Sequence, residues 1–545
     1  MMNNNKTHVY LPLIFSLVLI TGIILGIILA NPSKTDKNFL NNIFSFKLNS
    51  YKSNNRIKDV INYVERVYVD SVSKEQLSEY AINGMLQNLD PHSCYIPASE
   101  FNKVNDPLLG NFEGIGIKFR IQKDTVTVLN VIHGGPSEKN GIKPGDRIVK
   151  IEGQNVAGIK ITNEKVIKKL KGKKGTKANI NISRIGISKL MDFTITRDVI
   201  NTNSIDVAYM VTSNIGYIKI SKFSATTYDE FLSDLLKLKS KGLKKLIIDI
   251  RGNGGGYLNI ATQLADEFLT DKKLIVYTQG RNSPKKYFYA SDKGDFKKNE
   301  LVVLIDELSA SASEILAGAI QDNDRGLIIG RRSFGKGLVQ EQIEFSDGSA
   351  MRLTTARYYT PLGRCIQRPY KNGTKEYYND FYKKLFYDEL GNIDSTNLND
   401  SLKYTTPKGK IVYGGGGIMP DIYVPFDIEG DSKYLEKLIS KGLIYQFAFD
   451  YADKNRDKLN HFKTYKDYKE NFVITNSIIH NFINYANKNE VEKDEKGLYI
   501  SKNVIKIRLK AYIGRDIFDD KGFYPVINEI DKTFLKAVEV LSKEK

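Results

Sequence analysis

The chain reads as an α/β protein: a core of alternating strands and helices around a largely parallel sheet, preceded by a β-rich module and flanked by helical regions. Three observations predict this. Residues 214 to 340 repeat strand-then-helix units, residues 110 to 198 hold short β-rich runs between glycine turns, and both flanks space their apolar residues at helical intervals. At 545 residues, with 41% hydrophobic and 26% charged side chains, the chain has room for several packed domains and is not disordered.

The elements follow in order. After a short tail (1–10), Leu11 to Ala30 form an uncharged run of twenty residues, the span of a bilayer core, and predict one uncleaved transmembrane signal anchor. Lys6 on one side faces Lys34 and Lys37 on the other, so charge leaves the orientation open. A polar linker (31–55) leads to a helical region (56–104) with Ile57, Val60, Ile61 and Val64, then Leu77, Ala81, Met85 and Leu86 on helical spacing, closing on LDPHSCYIPASEF. His92 sits in that closing turn and is assigned no chemistry. The formal charge of +18 arises from 81 basic residues interleaved with 63 acidic ones, which argues for a solvated surface and against nucleic acid as a partner. The densest basic cluster, between Lys165 and Lys177, is read the same way. Cys94 and Cys365 are too few for a disulfide framework and lack metal-ligand spacing, so they are expected to be unrelated buried thiols. No cysteine precedes Cys94, which excludes a lipoprotein.

Residues 105–199 change character. The loop Gly114-Ile115-Gly116-Ile117 can turn backbone N–H groups toward a carboxylate beside a strand edge that accepts an extended peptide. With GGPSEKNGIKPGD and IVKIEGQ downstream, the segment resembles a PDZ domain, although that family more often has alanine where Ser137 and Asn140 stand. The resemblance implies that protein chain ends bind at residues 114–117.

The core is expected over 200–428. GYIKI, LIIDI, LVVLI and LIIG each read as buried strands followed by helices or turns, and sites in such sheets form at the carboxyl ends of the strands. The RGNGGG and SASASE turns both fall there. Residues 368–413 look like an insertion in which Tyr377, Tyr378, Phe381, Tyr382 and Phe386 pack locally, and residues 429–545 read as a helical C-terminal domain.

Chemistry concentrates between Leu301 and Gln340. A serine nucleophile needs a base, and the five histidines (His8, His92, His133, His461, His480) avoid residues 134–460 altogether, which leaves lysine as the natural candidate. Ser311 also fits the capping box S-x-x-E with Glu314 and can cap the following helix, so a structural role and a nucleophilic one overlap. Lys336 lies between two glycines ahead of Leu338 and Val339. To act as a base near neutrality its pKa must fall from about 10.4 to about 7–8, which burial or nearby positive charge supplies. Gln340 shares a strand face with it. RGNGGG lacks the Gly-Lys-Ser/Thr ending of a P-loop, and its amides, with that of Ala312, can instead receive the oxygen of a tetrahedral intermediate.

Taken together, LDPHS, DIRGNGGG, SASASEI, FGKG, Gln340, TTARYYTPLGRCIQ and GGGGIMPDIYV resemble the carboxyl-terminal processing proteases, or tail-specific proteases, across roughly residues 60–425. The resemblance implies a serine endopeptidase with Ser311 as nucleophile, Lys336 as base, Gln340 orienting the lysine, and the amides of Ala312 and of Gly255 or Gly256 as oxyanion donors. Glycine at position 254, where the family usually has proline, leaves the choice between those two glycines open. Proteins or peptides with free C-termini are the implied partners, with no metal or other cofactor and room for a homo-oligomer or an activating partner. Anchor and resemblance together imply a bacterial envelope protein, single-pass in the inner membrane with its catalytic part facing the periplasm. The rival expectation is an inactive PDZ adaptor.

Overall fold

The computed structural model describes residues 16, 18, 19, 21, 22, 55–389 and 402–543, and the side chains of all of these except 384–389. The predicted anchor therefore lies, apart from five helical positions, outside the described residues. No helix among the described residues is long and apolar enough to cross a membrane.

Helix α1 (Arg56–Val67) is amphipathic by sequence, begins at an Asn55 cap and buries none of its residues. Helix α2 (Lys74–Gln87) buries Leu86. Strand β1 (Cys94–Ile96) and helix α3 (Phe101–Leu109) follow, and Gly110 ends α3 in the left-handed conformation (φ +78°).

The PDZ-like module comprises β2 (Asn111–Gly114), β3 (Ile117–Gln122), β4 (Thr125–Val131), α4 (Pro136–Lys139), β5 (Arg147–Ile151), β6 (Gln154–Asn155), α5 (Asn163–Leu170), β7 (Lys177–Ser183), β8 (Met191–Thr196) and β9 (Asp198–Asn201). Its main sheet runs β3-β4-β5-β7-β8, with β3 at the edge, while β2 and β9 pair as a separate ribbon. Alternating burial along β7 places Ala178, Ile180 and Ile182 in a core with Val126, Val128, Ile148 and Val166.

The central sheet has the order β10-β11-β12-β15-β16-β21, from β10 (Ile205–Met210), β11 (Ile215–Ile220), β12 (Lys245–Asp249), β15 (Glu300–Ile305), β16 (Leu327–Gly330) and β21 (Ile422–Tyr423). All its pairings are parallel except β10 with β11, as the repeated strand-then-helix pattern predicts. One face packs on α6 (Thr227–Lys239), α7 (Leu258–Asp266) and α8 (Ala312–Asp322), whose Phe231, Leu264 and Leu316 are fully buried. A second, antiparallel sheet joins β1, β13 (Leu274–Gln279), β14 (Lys286–Tyr289), β17 (Leu338–Glu344) and β18 (Ala350–Tyr359). The insertion holds helix α9 (Thr374–Glu389) and the hairpin β19 (Lys403–Thr405) with β20 (Ile411–Tyr413). Tyr377 meets Tyr378 and Phe381 meets Tyr382 within the insertion, while Tyr377 and Phe381 also pack on Phe334 of the lysine loop; the side chain of Phe386 lies outside the described residues.

The C-terminal region is helical, from α10 (Lys433–Ser440), α11 (Leu443–Lys454), α12 (Arg456–Leu459), α13 (Tyr465–Asn471), α14 (Asn476–Lys488), α15 (Glu495–Phe518) and α16 (Asp520–Ile527) to α17 (Lys532–Ser542). Phe534, Ala537 and Leu541 of α17 bury against Tyr217, Ile247, Val302 and Leu304 on the second face of the central sheet. The helices also meet the PDZ-like module. Asp450 accepts from Gln122 Nε2 at 2.8 Å and Lys123 Nζ at 2.9 Å, Asp453 pairs with Arg147 at 2.8 Å, and the Arg120 guanidinium sits 3.9 Å over the Tyr445 ring. One expectation is corrected: Cys94 and Cys365 are free thiols, but Cys94 is exposed and Cys365 half-buried.

Candidate active site

Ser309, Ser311 and Ser313 sit on one turn and differ completely in their surroundings. Ser309 Oγ donates to the Ile250 carbonyl at 2.9 Å, Ser313 Oγ donates to the Asn253 carbonyl at 2.8 Å, and both are fully buried. Ser311 alone of the three lines an open cleft of about 480 Å³, together with Gly255, Gly256, Ala312, Lys336, Gln340 and Arg352. It occupies the N-cap of α8 with φ +55° and ψ −113°, a backbone conformation that costs a non-glycine residue about 1–3 kcal/mol.

The Glu314 half of the expected capping box exists and reaches much further. Glu314 is fully buried and accepts four hydrogen bonds: from Ser311 N–H (2.9 Å), Lys336 N–H (2.9 Å), Gly335 N–H (2.6 Å) and Ser333 Oγ (2.5 Å). Burial pushes its carboxyl above the ordinary value against the pull of those donors. On the carbonyl side, Tyr358 Oη donates to Lys336 O at 2.8 Å and lies 3.2 Å from Ser311 O. One carboxylate and one phenol therefore fix the serine and lysine backbones to each other.

Lys336 precedes β17, and its Nζ donates to Gln340 Oε1 at 2.9 Å. A register shift between Val339 and Gln340 in the β17–β18 pairing accompanies this contact. Gln340 Nε2 donates in turn to the backbone carbonyl of His92. The LDPHS turn presents that carbonyl because Asp90 accepts from His92 N–H (2.8 Å), Ser93 N–H (2.9 Å) and Ser93 Oγ (2.6 Å). Burial, and next the charge of Arg352, hold the Lys336 amine below its ordinary range, while Asp90, Cys94 and Glu314 oppose them. The His92 ring is pushed down to about 4 by burial and by the Lys336 charge, so it is neutral at physiological pH.

At the glycine turn, a Cβ on Gly255 (φ +102°) would stand 2.9 Å from Ser311 Cβ and 3.0 Å from Ala312 N, so only glycine lets this turn approach the serine. The Gly255 N–H is donated to Asn253 Oδ1 at 2.9 Å. Ala312, first residue of α8, brings its amide to the same cleft. The structure thus gathers Ser311, Lys336, Gln340, Ala312, Gly255 and Gly256 at one site.

Gly114, Ile115, Gly116 and Ile117 line a separate groove of about 610 Å³ between β3 and α5, with Phe119, Ile167 and Leu170 as apolar walls. Ser137, where alanine was the more usual residue, holds this loop through its Oγ and N–H, which donate to Ile115 O at 2.6 and 3.1 Å. The neighbouring lysines are solvated or paired: Lys171 meets Asp106 at 2.7 Å and Lys174 meets Asp198 at 2.9 Å.

Among proteins of known kind, the carboxy-terminal-processing protease of Bartonella bacilliformis is 38% identical over 324 residues, covering 58% of this chain and 74% of that protein. The chain belongs to the carboxy-terminal processing proteases. Residues 214–375 of this protease match Peptidase family S41, residues 114–195 the PDZ domain, and residues 27–99 the activating protease CtpB N-terminal domain. Residues 434–519, the helical part outside the predicted resemblance, match a family of unknown function. Carboxy-terminal processing protease CtpB of Bacillus subtilis is 35% identical over 320 residues, covering 58% of this chain and 66% of that one. Among solved structures, the photosystem II D1 C-terminal processing protease covers 58% of this chain and 90% of its own, at 28% identity and a TM-score of 0.33.

Three contributors to the protease site escape sequence reading. Glu314 shows only as a helix cap, because its bonds to residues 333–336 depend on how α8 meets the lysine loop. The His92 carbonyl carries no side-chain signature, and Arg352 reaches the cleft only through the β17–β18 pairing that sets it opposite Gln342.

Proposed function

We propose that this protease is an envelope serine endopeptidase that holds the C-terminal segment of a protein substrate in its PDZ groove and cleaves through an acyl-enzyme with a Ser311/Lys336 dyad. The observation that carries the reading is the Lys336 amine, withdrawn from water, held by Gln340 and lining the same cleft as Ser311. In the neutral form this amine takes the Ser311 Oγ proton as Oγ attacks the scissile carbonyl. The Ala312 amide, at the positive end of α8, faces the developing oxyanion. The Gly255 amide joins it once its bond to Asn253 Oδ1 is exchanged for the substrate oxygen, and Gly256 is the neighbouring alternative. The Lys336 ammonium then protonates the leaving amine, and water admitted to the cleft releases the acyl group by the same base. Residues 11–30 are proposed to anchor the chain in the inner membrane with the catalytic part facing the periplasm; membrane fractionation with and without residues 1–30 tests that part.

The deciding experiment on the dyad is Ser311→Ala. Peptide hydrolysis is expected to disappear while circular dichroism remains native, since removing a cap hydroxyl costs only about 0.5–2 kcal/mol. Cleavage at the native rate by the variant would overturn the assignment.

A further inference from the structure

Arg352 lies on β18 and lines the catalytic cleft with Ser311, Lys336, Gln340 and Gln342. Both hydrogen bonds recorded for its guanidinium go to neutral amides: Nε donates to Gln342 Oε1 at 3.0 Å and Nη2 to Asn105 Oδ1 at 2.8 Å. Among the described residues it makes no ion pair. Of the other half-buried or buried arginines, Arg197 and Arg325 donate to backbone carbonyls and Arg368 lies over the Phe334 and Tyr377 rings, all three away from the catalytic cleft lining, whereas others are ion-paired. Arg147 pairs with Asp453, Arg184 with Asp146, Arg251 with Asp249, Arg331 with Glu307 and Arg364 with Asp322.

Two amides that hold a guanidinium in place without neutralising it leave a directed, uncompensated charge at the wall of a peptide cleft. Gln342 faces Arg352 as its partner across the β17–β18 pairing, and Asn105 reaches in from α3, so the side chain is clamped from two independent elements. A guanidinium presents five N–H groups in a planar fork matched to carboxylate, and the two amides leave part of that fork unused.

We propose that Arg352 is a substrate-reading residue that binds a peptide carboxylate close to the scissile bond, so that the protease selects acidic segments. The carboxylate can come from an Asp or Glu side chain or from a chain end just past the cut. The proposal rests on the Ser311/Lys336 reading of the cleft, since it is that centre which defines where the peptide lies.

The test uses the full chain and pairs of peptides. One set carries Glu or Gln at each of three positions on either side of the scissile bond, and another ends just beyond it as free acid or amide. The ratio of kcat/KM within each pair is measured for native protein and for Arg352→Gln, so a general change in rate cancels. At one position or more the native protein is expected to favour the acid by about tenfold or more, the scale of a charge-assisted hydrogen bond. Arg352→Gln is expected to bring that ratio close to one, and Arg352→Glu to favour a lysine peptide instead. The position at which the ratio appears separates side chain from chain end. Should Gln at 352 prevent folding, Arg352→Lys, which keeps the charge and loses the fork, is expected to reduce the ratio severalfold. No acid preference in native protein, or a ratio that survives Arg352→Gln, overturns the proposal. The same ratios are read as affinities in a Ser311→Ala background. A loss of acid preference there still reports on Arg352, whereas continued cleavage by Ser311→Ala would refute the dyad and leave the affinity ratio to decide on Arg352.

Discussion

The lysine amine is the residue on which the chemistry turns, and its neighbours define what a substitution does. Lys336→Arg preserves charge and reach, so a lysine serving only to bond Gln340 would tolerate it. A base would not, because guanidinium keeps its proton. Peptide hydrolysis by Lys336→Arg is expected to be as low as by Lys336→Ala, with substantial turnover by the arginine variant counting against the dyad. The pH profile follows from the same environment. With the Lys336 pKa depressed by burial and by Arg352, activity is expected to climb with pH as the amine loses its proton, at a pH below the ordinary lysine range. His92 cannot supply that limb, since it is already neutral above about 4. Much of this was legible from residue types: a chain without histidine over 134–460 has few other bases to offer a serine. The engagement of the Gly255 amide by Asn253 was not, because hydrogen-bond occupancy is a property of the folded turn.

Among the elements, helix α8 and the lysine loop are joined more firmly than either sequence alone suggests. Glu314 faces four donors and no acceptor, so Glu314→Gln must turn an NH2 group onto two of them. The variant is expected to lose about 3 kcal/mol or more, read from denaturant unfolding, and most of its peptidase activity as the lysine loop shifts from Ser311. An unchanged unfolding midpoint and activity would show that Glu314 does not hold the loop, which also bonds Tyr358, Gln367, Ser309 and Ile418. The PDZ groove offers a cleaner test of what the sequence pattern conveys. The glycine loop at 114–117 was readable, because glycine punctuation is a local signal, whereas the stretch forming α5 read only as a solvated basic cluster and its apolar wall of Ile167 and Leu170 shows only in the folded groove. In the Ser311→Ala protein, a peptide with a free C-terminus is expected to bind more tightly than its amide, by fluorescence anisotropy, if these amides receive a carboxylate. Equal affinities would remove residues 114–117 from the binding role.

At the scale of the molecule, the central sheet is covered on both faces, by α6 to α8 on one and by α17 on the other. Phe534→Ala is therefore expected to cost about 3–5 kcal/mol, measured by thermal unfolding, although the residue lies some two hundred positions from the serine in sequence. A variant as stable as native would mean that α17 contributes little to the sheet. Sequence alone assigned residues 429–545 only as helical, because nothing in a helix's own spacing tells which distant surface it covers. The same region also reaches the edge strand of the PDZ module, where Arg120 of β3 stacks on Tyr445 of α11. A peptide that extends the sheet at β3 lies along the very strand whose side chain is pinned to α11. Amide protons should record this sharing: deuterium uptake slowed by a bound peptide along β3 would carry over into α11, so the footprint of a ligand exceeds the set of residues that touch it.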